Sequence, residues 1–102
     1  MYAAIRRLRT DGDMDEALRR ADAEFTKAVE CQVGFVEHRV VQTGPSEVIS
    51  MLVFDTKDEA DRNRFFTEQF IDVGFAGLEV ELLDEWRGEV HVPRVVLAPS
   101  IV

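Results

Sequence analysis

Arg6, His38 and Asn63 are the side chains of this chain whose types and surroundings could do chemistry. His38 lies between Val36 and Val40 on one face of an alternating apolar segment. An imidazole there can act as a general base or as a hydrogen-bonding group near neutral pH. It can equally be a histidine satisfied at a sheet surface. Arg6 and Arg7 are neighbours in an extended segment, so they point to opposite faces. In a central strand at least one of them is desolvated and needs an anion. Glu37 and Glu81 are the partners the sequence suggests, and the alternative is a clamp for an anion or phenolate in a pocket. Asn63 interrupts the apolar stripe of a helix. A buried amide must find partners, either a substrate carbonyl or a strand end. Trp86, Phe35, Tyr2 and Phe66 are the aromatic side chains that could line an apolar cleft for a small aromatic ligand. Aromatic residues at helical spacing, such as Phe66 and Phe70, also make core.

These residues must be positioned by elements that the periodicity lays out. Tyr2 to Arg9 predicts a first strand, with Tyr2, Ala4, Arg6 and Leu8 on one face. Asp13 with Glu16 three residues on predicts a helix start. Met14, Ala17, Leu18, Ala21, Phe25 and Val29 then recur at helical intervals. Residues 34–41 and 48–54 predict a strand pair around the turn Thr43-Gly44-Pro45-Ser46. The second of these strands is apolar on both faces. Val48, Leu52 and Phe54 point one way with Ser50, and Ile49, Met51 and Val53 point the other. Thr56 caps a second helix carrying Ala60, Asn63, Phe66, Phe70 and Val73, which ends near Gly74 or Gly77. The alternation Leu78-Glu79-Val80-Glu81-Leu82 predicts a last strand running irregularly through Trp86 to Val92, where Pro93 stops it.

Strand, helix, strand, strand, helix, strand is the split βαβ order, an α+β, ferredoxin-like βαββαβ plan with a four-stranded antiparallel sheet. Right-handed crossovers put both helices on one side of the sheet. The opposite side stays apolar and bare, which predicts association with a second copy, sheet to sheet. Residues 1–92 form the one expected domain, and residues 93–102 an apolar tail docked on the partner chain.

Composition narrows the partners. Twenty acidic against twelve basic residues give a formal charge of −8. Such a surface repels phosphate backbones and anionic lipid, so neither nucleic acid nor membrane is an expected partner. Cys31 is the single cysteine and cannot form an intramolecular disulfide. No leader or spanning segment is read, and a cytoplasmic protein is the expectation. His91 is the only other histidine, and two histidines do not make a metal site. Phosphate loops, CxxC, HExxH and GxSxG are all missing from the sequence. No metal and no cofactor are expected.

The order of elements, with Tyr2-Ala3-Ala4-Ile5-Arg6-Arg7, Val33-Gly34-Phe35-Val36-Glu37-His38, Ser50-Met51-Leu52-Val53-Phe54-Asp55 and Gly88-Glu89-Val90, resembles the dimeric α/β barrel superfamily. Within it the chain is similar to the antibiotic-biosynthesis-monooxygenase-like proteins. The resemblance implies a homodimer whose sheets meet, with a cleft between sheet and helices in each protomer. It implies oxygenation of aromatic phenols without a cofactor in some members, and haem degradation or quinol oxygenation in others. The oxygenase branch presents, on its second helix, an Asn followed four residues on by Trp. Asn63 matches this pattern, and position 67 is Thr. The helix-borne His of the haem-degrading branch has no counterpart. Two readings of function follow. One is a cofactor-independent monooxygenase acting on an aromatic or phenolic small molecule, with Asn63, His38 and Arg6 as catalytic residues. The other is a non-catalytic dimer that binds a small ligand or serves as an accessory subunit.

Overall fold

The computed structural model describes residues 1–91. Its sheet has four strands, β1 (Tyr2–Thr10), β2 (Phe35–Gln42), β3 (Glu47–Phe54) and β4 (Val80–Glu89). They are arranged in the order β2-β3-β1-β4, and every neighbouring pair is antiparallel. This is the expected ferredoxin-like plan. The tail expected over residues 93–102, and the last residue of the expected domain, Val92, lie outside the described residues.

The first helix begins at Met14, where the Asp13 side chain accepts the Glu16 amide at 3.2 Å. Its cap follows the sequence signal, but Glu16 does not reach back to complete a capping box. The Glu16 carboxylate instead takes Arg19 at 2.7 Å and Arg20 at 2.8 Å. After Arg20 the helix widens into a π-helical segment, Ala21–Thr26, and closes with one α turn, Lys27–Val29. Thr26 donates its hydroxyl to the Ala21 carbonyl at 2.7 Å, five residues back. The second helix, Lys57–Gln69, is capped by Thr56 and also ends in a π-helical turn, Phe70–Gly74. Such turns occur mostly as local insertions and often sit beside functional sites.

Both helices pack on the same face of the sheet. Phe25 and Val29 of the first and Ala60 of the second meet Leu52 and Phe54 of β3 in one buried cluster. Phe25 is the centre of the aromatic part, 6.0 Å from Phe66 and 5.0 Å from Phe70 between ring centroids. Gly34, which leads into β2, sits at φ +84. Glycine takes that conformation without the strain other residues meet. The Glu59 carboxylate also fills the space where a Cβ would stand.

The other face of the sheet presents Ile5, Ile49, Met51, Val41 and Trp86, and neither helix covers it. Trp86 is 52% exposed and Val41 58% exposed.

Two expectations change. The last strand starts at Val80 rather than Leu78, because Glu79 adopts a left-handed backbone at φ +52 and breaks the alternation, and it ends at Glu89, short of the expected Val92. Leu78 is buried all the same, and its carbonyl accepts the Thr10 hydroxyl at 2.5 Å. Arg6 is not paired with Glu37 or Glu81. Those residues lie on the opposite face of the sheet, where Glu37 takes Arg39 and Glu81 takes Arg9. Glu85 stands across from Arg6 on β4 and is its partner.

Candidate functional site

The site is built from one row of residues across the sheet. Arg6 on β1 is the direct partner of Ser50 on β3 and of Glu85 on β4, and Val40 on β2 is the partner of Ser50. Side chains alternate along strands, so this whole row faces the helices. His38 is two residues before Val40 and shares its face. The π-helical segment of the first helix brings Phe25 and Thr26 down onto that row.

Between the row and the helices lies a cleft. Leu8, Met14, Leu18, Phe25, Phe70 and Ile71 supply its apolar walls. Its polar lining comes from Arg6, Arg9, Thr10, His38, Ser50 and Thr67. Its cavity volume is about 60 Å³, small beside the roughly 300–1,000 Å³ of most small-molecule sites, although its make-up, mostly apolar with a few polar groups, is of that kind.

His38 is held at both ring nitrogens. Nδ1 lies 2.8 Å from Thr26 Oγ1, and Nε2 lies 3.1 Å from Ser50 Oγ. The Thr26 hydroxyl has one proton, and the Ala21 carbonyl receives it. Thr26 therefore accepts from His38, which assigns the ring proton to Nδ1. Nε2 is left with a lone pair, and the Ser50 hydroxyl donates to it. The edge of the ring also packs on Phe25, with centroids 5.0 Å apart. Burial first, and then the nearby Arg6 charge, push the imidazole down to about 4 from an ordinary 6.5. His38 is neutral at pH 7, which makes it a hydrogen-bond acceptor more than a proton store.

This shift has a consequence for stability. The unfolded chain takes up a proton near pH 6.5 and the folded chain only near 4. Between those values the unfolded state binds more protons, so folding weakens as pH falls. The stability is complete above about pH 6.5 and falls by roughly 3 kcal/mol by pH 4. Urea midpoints of the wild type and of His38→Gln across this window check it. The variant should lose the part of the pH slope that His38 supplies, and an unchanged slope would contradict the buried neutral ring.

Arg6 is 2% exposed, and its Nε donates to Glu85 Oε2 at 3.0 Å. Glu85 is the only hydrogen-bond partner of Arg6 among the described residues. Asn63 is 4% exposed and lies beside the cleft rather than in its lining. Thr67 donates to both its carbonyl and its Oδ1 at 3.2 Å, and Thr67 itself lines the cleft. The four-residue spacing that places an aromatic beside Asn in the resembling family here places a hydroxyl.

The structure brings Arg6 and His38 together and keeps Asn63 one residue removed. The aromatic residues disperse. Phe35, Tyr2 and Phe66 pack against the buried core cluster, and Trp86 projects from the helix-free face. None of the four lines the cleft. Trp86 points away because its register partner on β1 is Ile5, one residue off the Arg6 row. Ser50, Thr26 and Thr67 are the residues that sequence reasoning left without a role. Ser50 carried a signal, being the one polar residue on the buried face of β3.

No protein-family model and no curated protein matches the chain. Solved structures do. A provisional antibiotic biosynthesis monooxygenase from Deinococcus radiodurans superposes with a TM-score of 0.72 at 15% identity, over 96% of this chain and 100% of that one. HapK from Hahella chejuensis gives 0.68 at 15% identity, over 97% and 100%. The chain has the fold of the antibiotic-biosynthesis-monooxygenase-like proteins. At these identities the likeness is one of fold. A dimeric ferredoxin-like protein from an uncultured marine organism shares it, with a TM-score of 0.69 at 9% identity over 93% of this chain and 98% of that one. Among the described residues of this monooxygenase-like fold, no cluster of His, Cys, Asp and Glu could hold a metal ion. No helix among them is long and apolar enough to cross a membrane.

Proposed function

We propose that this protein is a homodimer, joined through its helix-free sheet face, that binds a small aromatic or phenolic molecule in the cleft of each protomer. The observation that carries the reading is the cleft itself. Its walls are apolar, and Arg6, Ser50 and His38 place polar groups on its sheet side. That division suits a ring with oxygen at one edge. The dimer is supported by the exposure of Trp86 and Val41 on a face that neither helix covers, and by the dimeric protein that shares the fold. A thermal-shift screen of phenols, quinones, flavins and haem tests the cleft. At least one aromatic class should raise the melting temperature in the wild type and fail to do so in Phe25→Trp, which fills the space. A screen in which nothing stabilises the protein would remove the reading.

The second reading is oxygenation of the bound ring, and the monooxygenase named among the structures of this fold favours it. An ionised phenol gives up an electron to oxygen readily, so the protein need only bind, ionise and shield the ring. Arg6 would hold the phenolate, its proton leaving through the open mouth, and the neutral His38 would fix the Ser50 hydroxyl beside it. Asn63 would act through Thr67. Oxygen uptake with a stabilising phenol, lost in Asn63→Ala while the fold persists, separates this enzyme from a binding protein.

A further inference from the structure

The cleft as it stands is too small for a ring. Its cavity volume is about 60 Å³, whereas benzene fills a cavity of about 150 Å³. A wall must therefore move before an aromatic molecule enters, and the walls differ in what holds them. The sheet wall is fixed by three antiparallel ladders. The first helix is pinned through Thr26 to His38 and through Phe25 to the buried cluster. The wall formed by residues 70–77 is held less firmly. Phe70, Ile71 and Phe75 of this segment line the cleft. No residue from 70 to 77 is buried, whereas Thr67 before the segment and Leu78 after it are 4% and 7% exposed. Segments with few buried contacts open at low free energy.

Both ends of the segment are suited to bending. Upstream, the regular α-helix stops at Gln69 and gives way to the π-helical turn Phe70–Gly74. Downstream, the Thr10 hydroxyl fixes the Leu78 carbonyl, and Leu78 stands between Gly77 at φ +85 and Glu79 at φ +52. Hinges are a few loop or element-terminal residues that take up changes of φ and ψ. One side chain ties the segment to the first helix. Arg20 donates through Nη1 to the Ala76 carbonyl at 2.9 Å and to the Gly74 carbonyl at 3.4 Å. Its Nε is held on Glu16 at 2.8 Å. Among the described residues no other side chain hydrogen-bonds to the segment.

We propose that residues 70–77 are a gate on the cleft, latched by Arg20, and that an aromatic molecule binds by displacing it. This inference rests on the cleft being a small-aromatic site and adds how that site opens. A ring larger than the closed cavity binds only the opened form. Its affinity is then the intrinsic one reduced by the fraction of molecules that are open. The latch therefore works against binding. Removing it raises the open fraction, so exchange of the segment's amides and affinity for the ring rise together.

Amide hydrogen exchange and calorimetric titration with 2-naphthol, on the wild-type chain, Arg20→Met and Arg19→Met, test it. Arg20→Met keeps the aliphatic stem and loses the donors. Exchange over residues 70–77 should quicken by about tenfold, the worth of a charged hydrogen bond at a half-exposed site, with β1 and β3 unchanged. 2-Naphthol should bind more tightly by the same factor. Arg19 pairs with Glu16 and Glu24 and makes no hydrogen bond to the segment, so Arg19→Met should match the wild type in both measurements. Unchanged exchange in Arg20→Met overturns the latch and leaves the aromatic cleft in place. Faster exchange with 2-naphthol bound no more tightly overturns the gate, because opening would then not limit binding. If 2-naphthol binds neither the wild type nor Arg20→Met, the aromatic cleft falls and the gate falls with it.

Discussion

Glu85→Ala lowers the unfolding free energy by about 3–5 kcal/mol, the loss expected when one partner of a buried ion pair is removed. Arg6 sits at the middle of the central strand, 2% exposed, with its Nε on Glu85 Oε2 at 3.0 Å. Burial lowers the pKa of the guanidinium, and Glu85 is the largest influence raising it again. Without that carboxylate a cation remains in an apolar interior. Glu85 also lies within 3.6 Å of nitrogens of Arg64 and Arg87, so its removal adds repulsion among three arginines. The contrast is with the exposed pair of Arg9 and Glu81 on the other face of the sheet, where Glu81→Ala should cost no more than about 1 kcal/mol. Urea denaturation of the two variants decides the matter. A loss for Glu85→Ala as small as that for Glu81→Ala would mean that Arg6 finds solvent or another anion. The double variant Arg6→Met with Glu85→Leu should recover most of the loss, because it removes the charge and its partner together.

Ile5→Asp should convert the proposed dimer to monomers. Ile5 is central on the helix-free face, with Met51 beside it on β3 and Trp86 beside it on β4. A carboxylate there is desolvated when two such faces meet. A hot-spot residue at the centre of an interface contributes about 2 kcal/mol or more, so the dimer dissociation constant should rise by at least about 30-fold. The same change in the protomer is mild, since Ile5 is only half-buried there. Sedimentation or light scattering across a dilution series measures it, and circular dichroism checks that the monomer stays folded. A wild-type chain that is already monomeric, or an Ile5→Asp chain that dimerises normally, would place the interface elsewhere.

The legibility of this chain divides at the boundary between local and distant contacts. Helix starts were readable because Asp13 and Thr56 accept amides three residues away, which is a property of sequence spacing. Both faces of β3 were readable because side chains alternate along any strand, whatever lies beside it. The order of elements and the hand of the crossovers then restricted the sheet to one topology. The start of β4 was misread because Glu79 takes a left-handed backbone that periodicity does not show. The aromatic residues were misassigned to a single cleft for a related reason. Trp86, Tyr2, Phe35 and Phe66 are alike in composition, yet register and packing send them to different sides.

What the sequence determined by itself is the plan: an acidic α+β chain with a sheet apolar front and back, and an arginine in its central strand that must find an anion. Only the tertiary structure decided which anion. Glu37, Glu81 and Glu85 are equivalent as residues, and pairing register places Glu85 alone across from Arg6 on the helix face. The tautomer of His38 was likewise decided by contacts distant in sequence. Thr26 comes from the first helix and Ser50 from β3, each twelve residues from the histidine, and only the folded chain sets them on opposite sides of one ring. Hydrogen bonds reach about 3 Å, so chemistry of this kind exists only where the fold has already brought its parts within that distance.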